Sequence, residues 1–135
     1  MSCKSALYAI NTTVGTAIPD GAIYSPNRVV RRFGPAIRLD DNGIILDSAG
    51  YYKVSAIATV TATAVGNITA TLYKDGIAVP GATTTVTATA IGDEISLPIS
   101  ALVRVLCNCQ LSTLTVVISG QATTSFNLAV DVEKE

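Results

Sequence analysis

A short acidic stretch holds the first candidates for chemistry in this sequence. Asp40, Asp41 and Asn42 are consecutive, and Asp47 follows five residues later. Carboxylate and amide oxygens are ligands of calcium, but the distal bidentate glutamate of a calcium-binding loop is missing. The stretch therefore predicts a tight turn. A calcium site formed by Asp40, Asp41 and Asp47 is the less favoured interpretation.

The thiols are the second set of candidates. Cys3, Cys107 and Cys109 are the three cysteines, and the chain contains no histidine. Without histidine, the commonest general base and metal ligand are both missing, and zinc lacks a ligand set. The spacing of Cys107 and Cys109 does not readily meet disulfide geometry within a strand. We expect reduced thiols, with an inter-chain bridge as the alternative, and neither a cofactor nor enzymatic activity.

The charge pattern bears on the kind of partner. A net charge of −1 argues against nucleic acid, because phosphate binding needs a clustered positive surface. One basic cluster is present, formed by Arg28, Arg31 and Arg32. It is typical of a strand edge protected by charge, and docking on an acidic protein surface is the alternative.

Length and composition favour one domain that hides part of its surface. The 135 residues are 49% hydrophobic and 14% charged, a balance typical of a membrane protein or of an oligomer. Polar residues interrupt every apolar stretch, which excludes a spanning helix. We therefore expect an oligomer without membrane insertion, and no Sec export from the first residues. The domain is predicted to span 1–135, with 1–35 as a strand, an irregular segment and a possible attachment region.

The elements that must position these residues are strands. The longest strict alternation covers residues 51–64, where apolar positions alternate with polar ones and only Ile57 interrupts the pattern. A period of two indicates a strand with one buried face, and Pro98 indicates a bulge or an edge position. Turns are predicted at 40–43, 75–76 and 80–81. Strands are predicted at 5–11, 29–33, 36–39, 44–46, 51–64, 68–74, 83–91, 94–106, 111–119 and 126–132.

Four landmarks in order resemble a known superfamily. Gly50-Tyr51-Tyr52-Lys53-Val54 resembles the Gly-x-Tyr-x-Phe start of the central strand in the tumour necrosis factor and complement globular-head superfamily. The stretch from Leu72 to Pro80 is similar to that family's hairpin. The start of a later strand in the family is similar to Gly92-Asp93-Glu94-Ile95-Ser96-Leu97. The strand at 126–132 lies where the family has its last strand, so the match covers 36–135.

The resemblance implies a jelly-roll β-sandwich of about ten antiparallel strands that assembles as a homotrimer. The first, central and last strands would then lie near the threefold axis. Val54 departs from the family's phenylalanine, and the apolar face around Tyr52 also favours a place in the core for that residue. The interface candidates that follow from the resemblance are Tyr51, Tyr52, Val54, Phe126 and Leu128.

The resemblance is strongest to bacterial and bacteriophage versions of this fold. We therefore expect a non-enzymatic trimeric head or decoration protein of a bacteriophage or prophage virion, made in the bacterial cytoplasm and bound to capsid or other virion proteins. The alternative is a head domain on a bacterial spore or cell surface that binds carbohydrate or protein through its apical loops. In that case Tyr51, Tyr52 and Tyr73 are candidates for stacking on sugars.

Overall fold

A computed structural model of the chain describes residues 5–40, 43–105 and 111–134. These residues form twelve strands and no helix, so no described helix could cross a membrane. Ten strands have four or more residues, and two have only two. The strands are β1 (Ala6–Asn11), β2 (Ala17–Ile18), β3 (Ala22–Ile23), β4 (Arg28–Phe33), β5 (Ile37–Asp40), β6 (Gly43–Leu46), β7 (Gly50–Ala62), β8 (Gly66–Lys74), β9 (Ile77–Ala88), β10 (Glu94–Val105), β11 (Ser112–Ser119) and β12 (Thr123–Lys134).

The strands form two antiparallel sheets that pack face to face. Sheet A has the order β10-β7-β12-β1-β4, with β2 paired to β12. Sheet B has the order β5-β6-β11-β8-β9, with β3 paired to β11. From β4 onward the chain crosses repeatedly between the sheets, which is the connectivity of a jelly roll. The predicted all-β jelly roll of about ten antiparallel strands is confirmed.

One hydrophobic core fills the space between the sheets. The alternation on β7 buries Tyr52, Val54, Ala56, Ala58 and Val60 almost completely. These side chains pack in one cluster with larger ones from sheet B, because the short alanines leave space for them. Burying each large aliphatic side chain contributes about 1.5–3 kcal/mol. The sheet B members with no more than 1% exposure include Leu46, Ile68, Leu72 and Ile118.

Turn chemistry explains the hairpin between β8 and β9. Asp75 and Gly76 both have positive φ, 53° and 80°, as a two-residue type I′ turn requires. The Asp75 carboxylate also accepts a hydrogen bond of 2.9 Å from the backbone N–H of Thr113, which ties the turn to β11. The turn predicted at 75–76 is confirmed.

The structure differs from the sequence-based expectation in two strands. Pro80 and Gly81 lie inside β9 and do not form a separate turn, and β9 tolerates them because it is the edge strand of sheet B. A bulge lies on β12, where the register with β7 shifts between Ser125 and Asn127. The bulge moves Phe126 off the buried face, so Phe126 is half-buried and Ser125 points inward.

Candidate functional site

The outer face of sheet A carries apolar side chains in register across its strands. On this face Ile57 is 48% exposed, Phe33 56% and Leu102 61%. Large apolar side chains exposed on one continuous surface are typical of a contact with another chain. Three rows of register partners define this surface, called the assembly face below: Pro98, Ile57, Ala129 and Ile10; Ser100, Ser55, Asp131, Tyr8 and Arg31; and Leu102, Lys53, Glu133, Ala6 and Phe33.

Charges on the assembly face alternate in sign. Lys53 on β7 lies directly opposite Glu133 on β12, and Tyr8 lies between Asp131 and Arg31 in the next row. Each pair of opposite charges on neighbouring strands stabilises a sheet by about 0.2–1 kcal/mol. They also give the surface a pattern that a partner must match.

A second exposed apolar surface lies where the two sheets meet at β9 and β10. The hydroxyl of Thr84 on β9 donates a hydrogen bond to the carbonyl of Pro98 on β10. Farther along these strands, Ile77, Pro80, Leu102 and Arg104 line a groove of about 330 Å³. We call this surface the edge groove. The sequence predicts either a bulge or an edge position at Pro98. Pro98 lies on β10, an edge strand of sheet A, so the edge position is confirmed.

Three of the five predicted interface residues lie in the core, and this prediction needs correction. Tyr52, Val54 and Leu128 are 0% exposed in the single chain, so they have no surface left for a second chain. The Tyr52 hydroxyl donates a hydrogen bond of 2.6 Å to the Ser48 carbonyl. Tyr51 remains on the surface, where the Arg104 guanidinium lies 5.9 Å from its ring centre.

The three arginines of the basic cluster do not act on one surface. All lie on β4, the edge strand of sheet A, and all are exposed. Arg28 and Arg31 are the register partners of Ile10 and Tyr8, so they extend the assembly face. Arg32 pairs with the inward-facing Leu7, and its Nε donates a hydrogen bond of 2.7 Å to the carbonyl of Ile37. Only two of the three therefore remain together as docking candidates.

The calcium candidates are not brought together. Asp40 is the register partner of Gly43 at the turn end of the β5–β6 hairpin, and Asp47 follows the opposite end of β6. At the rise of a strand, the four steps from Gly43 to Asp47 span about 13 Å. Asp47 instead forms an ion pair of 3.0 Å with Arg38. Asp41, Cys3, Cys107 and Cys109 lie outside the described residues.

A polar recess at one end of the sandwich was not predicted from the sequence. It has a volume of about 320 Å³ and lies between the segment after β1, the segment around β2 and β3, and the bulge of β12. We call it the Tyr24 recess. Its polar lining comes from Asn11, Thr13, Thr16, Ser25, Asn27 and Ser125.

Hydrogen bonds fix the walls of the Tyr24 recess. The buried Ser125 hydroxyl donates a hydrogen bond of 2.7 Å to the Thr13 carbonyl and accepts one of 3.0 Å from the backbone N–H of Thr16. On the facing wall, the Asn11 side-chain amide donates a hydrogen bond of 2.9 Å to the carbonyl of Ser25. The bulge that turns Ser125 inward thus anchors an otherwise irregular segment.

Tyr24 is the buried residue of this recess. It is 3% exposed, and its hydroxyl and that of Ser25 find no hydrogen-bond partner among the described residues. Burial raises the pKa of the Tyr24 phenol, and the backbone of Phe126 opposes this shift only in part. A buried hydroxyl without a partner costs about 1–3 kcal/mol. Both hydroxyls have almost no solvent-accessible surface, so they lie beneath the lining of the recess and do not open into it.

Comparisons with known proteins identify the fold. No family model matches the sequence, and no curated protein matches it. Solved structures do match. The PRD1 vertex protein P5 has a TM-score of 0.70 and 18% identity, over 98% of this chain and 74% of that chain. Eiger TNF from S. frugiperda has a TM-score of 0.71 and 13% identity, over 97% of this chain and 91% of that chain.

A third solved structure has the same fold. The globular domain of the zebrafish complement 1qA protein has a TM-score of 0.61 and 10% identity, over 95% of this chain and 94% of that chain. The resemblance read from the four sequence landmarks is therefore confirmed at the level of structure. This chain has the jelly-roll fold that tumour necrosis factor-like proteins share with complement globular heads and with the PRD1 vertex protein P5.

Proposed function

We propose that this chain is a non-enzymatic head or decoration protein of a bacteriophage or prophage virion and functions as a homotrimer. Its similarity to a phage vertex protein supports a structural or binding head domain. The observation that carries the assembly is the pair of exposed apolar surfaces, the assembly face and the edge groove.

These two surfaces differ from each other, which favours a ring. A contact between unlike surfaces is heterologous, and repeated copies close into a ring when the rotation between them allows it. In the proposed trimer, the edge groove of each chain, with Ile77 and Pro80, packs near the assembly face of the next. Ile57 lies in the first of the three rows of that face and becomes buried.

A charged residue on the assembly face tests this arrangement. Ile57→Asp should give a folded monomer, because three carboxylates cannot be buried without partners. Val65→Asp is the matched control, since Val65 is exposed in the turn between β7 and β8, away from the face. Light scattering should show a monomer for Ile57→Asp and a trimer for Val65→Asp. An Ile57→Asp variant that remains a trimer would contradict the arrangement.

Placement on a virion needs a separate test. Arg28, on the edge strand beside the assembly face, is the proposed contact to an acidic surface of a capsid or another virion protein, since Arg31 belongs to the assembly face itself. Gold-labelled antibodies against this chain should decorate intact particles released by lysis of the source cells. Particles that carry no label, in a lysate that contains the protein, would contradict the virion placement without affecting the trimer.

A second candidate function is a head domain that binds carbohydrate or protein at a bacterial surface. The Tyr24 recess is the observation that favours it, because a recess that combines polar and apolar lining is typical of ligand sites. Glycan-array binding that is lost on substitution in the recess would support this candidate.

A further inference from the structure

We propose that the Asp131 carboxylate of each chain forms an ion pair with the Arg104 guanidinium of the next chain. The pair presupposes the homotrimer proposed above, in which the edge groove of one chain packs near the assembly face of the next. Three properties of the described residues support it. Asp131 lies at the centre of the assembly face, Arg104 lines the edge groove, and neither forms an ion pair within the described part of its own chain.

Asp131 occupies the central position of the assembly face. It belongs to the middle of the three rows, and its strand, β12, lies between β7 and β1 in the middle of sheet A. Its register partners are Ser55 and Tyr8. Ala129, two residues earlier on the same strand, is the register partner of Ile57, so an apolar row borders Asp131. Water is excluded most completely at the centre of an interface, and a carboxylate buried there needs a cation as its partner.

The described part of the chain supplies no cation to Asp131. Asp131 is partly exposed in the single chain, and it forms no ion pair or side-chain hydrogen bond with another described residue. Lys53 lies directly opposite Glu133 instead. Arg31 lies beyond β1, and two strand spacings place its backbone roughly 10 Å from that of Asp131. Water satisfies such a carboxylate on an open surface, but a second chain that covers it must bring a cation.

Arg104 is a cation that the edge groove presents to the next chain. It lies on β10 directly opposite Tyr51, it is exposed, and it lines the groove. Its guanidinium lies 5.9 Å from the centre of the Tyr51 ring, and no described carboxylate forms an ion pair with it. The ring contact limits the positions of the side chain and leaves the N–H donors of the guanidinium available to a carboxylate.

Arg104 suits a carboxylate better than Lys74, the other cation of the groove. A guanidinium donates two parallel hydrogen bonds to a carboxylate, whereas an ammonium is a compact and strongly hydrated charge. Lys74 also has a carboxylate beside it in the chain, that of Asp75, which lines the same groove. Arg104 is therefore the partner that the groove offers to Asp131.

Apolar side chains flank both charges. Leu102, two residues before Arg104 on the same face of β10, is 61% exposed. Ile57, one row from Asp131 on the neighbouring strand, is 48% exposed. When the two surfaces meet, these side chains exclude water from the pair, and the pair then disfavours wrong alignments of the two chains.

The pair also favours a ring over a twofold dimer. In a dimer that covers the assembly face symmetrically, the central Asp131 of one chain would face Asp131 of the other, and like charges repel. In a ring, each chain contributes its Asp131 to one contact and its Arg104 to the other. Three identical pairs therefore close the trimer without an unpaired Asp131.

Charge exchange in the full chain tests the pair. Asp131→Arg and Arg104→Asp each bring two like charges together, and each should raise the concentration at which half of the trimer dissociates at least about tenfold. The double variant restores opposite charges in exchanged positions and should return this concentration to within about threefold of the unmodified value. Sedimentation equilibrium over a dilution series measures it. A double variant that dissociates as readily as the weaker single variant would overturn the pair.

Neutral variants identify the partner. Asp131→Asn and Arg104→Gln each leave one charge unpaired at the interface, and each should raise the half-dissociation concentration at least about tenfold. Lys74→Gln is the matched control, since it removes the other cation of the groove, and it should change this concentration less than about twofold. Equal weakening by Lys74→Gln, or a tighter trimer with Asp131→Asn, would overturn the pair and leave the homotrimer standing. A monomeric unmodified chain would contradict the homotrimer itself, and the pair with it.

Discussion

At the scale of single residues, the buried tyrosines show what the sequence can and cannot predict. The alternation around Tyr52 places its ring on the apolar face, and the structure buries it there with its hydroxyl on the Ser48 carbonyl. Tyr24 lies in a segment without alternation, so no pattern predicts its burial. Its position depends on β11, where the Val116 carbonyl accepts a hydrogen bond from the Tyr24 N–H, and on the bulge of β12, and both are distant in sequence.

Removal of the Tyr52 hydroxyl should destabilise the fold. Tyr52→Phe removes the donor of the partly buried hydrogen bond to the Ser48 carbonyl, and we expect a loss of about 1–3 kcal/mol in the free energy of unfolding by urea. Tyr51→Phe, on the neighbouring exposed position, should change it by less than about 0.5 kcal/mol. Equal effects of the two changes would contradict the assigned orientation of β7.

Tyr24 should make the stability fall at high pH. Its folded-state pKa is raised above the ordinary value of about 10, mainly by burial. The contribution is fully present below about pH 10 and is lost as the pH rises through the folded-state pKa, because the unfolded chain releases the proton first. Unfolding free energies measured from pH 8 to 11 should therefore fall more for the unmodified chain than for Tyr24→Phe. A fall of equal size in both would contradict the raised pKa.

At the scale of elements, alternation predicts strands well but does not say what covers their faces. Alternation predicts a buried face for β7, yet whether an apolar face meets the second sheet or another subunit depends on packing. The structure shows that the most apolar faces form the core, which explains why Tyr52, Val54 and Leu128 were assigned wrongly to an interface. The bulge at Ser125 follows from the register with β7, which a single strand does not reveal.

The turn between β11 and β12 should depend strictly on glycine. Gly120 has φ of +98°, and a Cβ there would lie 2.5 Å from the Asn67 carbonyl oxygen. Gly92 has a similar φ of +89° but open space around it, so it serves as the control. We expect Gly92→Ala to cost about 1 kcal/mol and Gly120→Ala to cost more than about 2 kcal/mol in urea unfolding. Similar costs at the two positions would contradict the close approach of the two turns.

At the scale of the whole molecule, the fold follows from the sequence and the assembly follows from what the fold leaves uncovered. The four landmarks predicted the jelly roll, because each marks the start of a strand or a tight turn. The register then shows which residues remain on the outer face of sheet A, where Ile57, Leu102 and Phe33 are about half exposed. The low proportion of charged residues, 14%, is accounted for if this face and the edge groove meet in an oligomer.

The mass of the unmodified protein in solution tests the central claim most directly. Sedimentation equilibrium at micromolar concentration should give about 42 kDa, corresponding to three chains of 13.9 kDa each. A closed ring of three should also keep this mass as the concentration is raised, because no apolar surface remains for a fourth chain. A mass of 13.9 kDa at micromolar concentration would contradict the account.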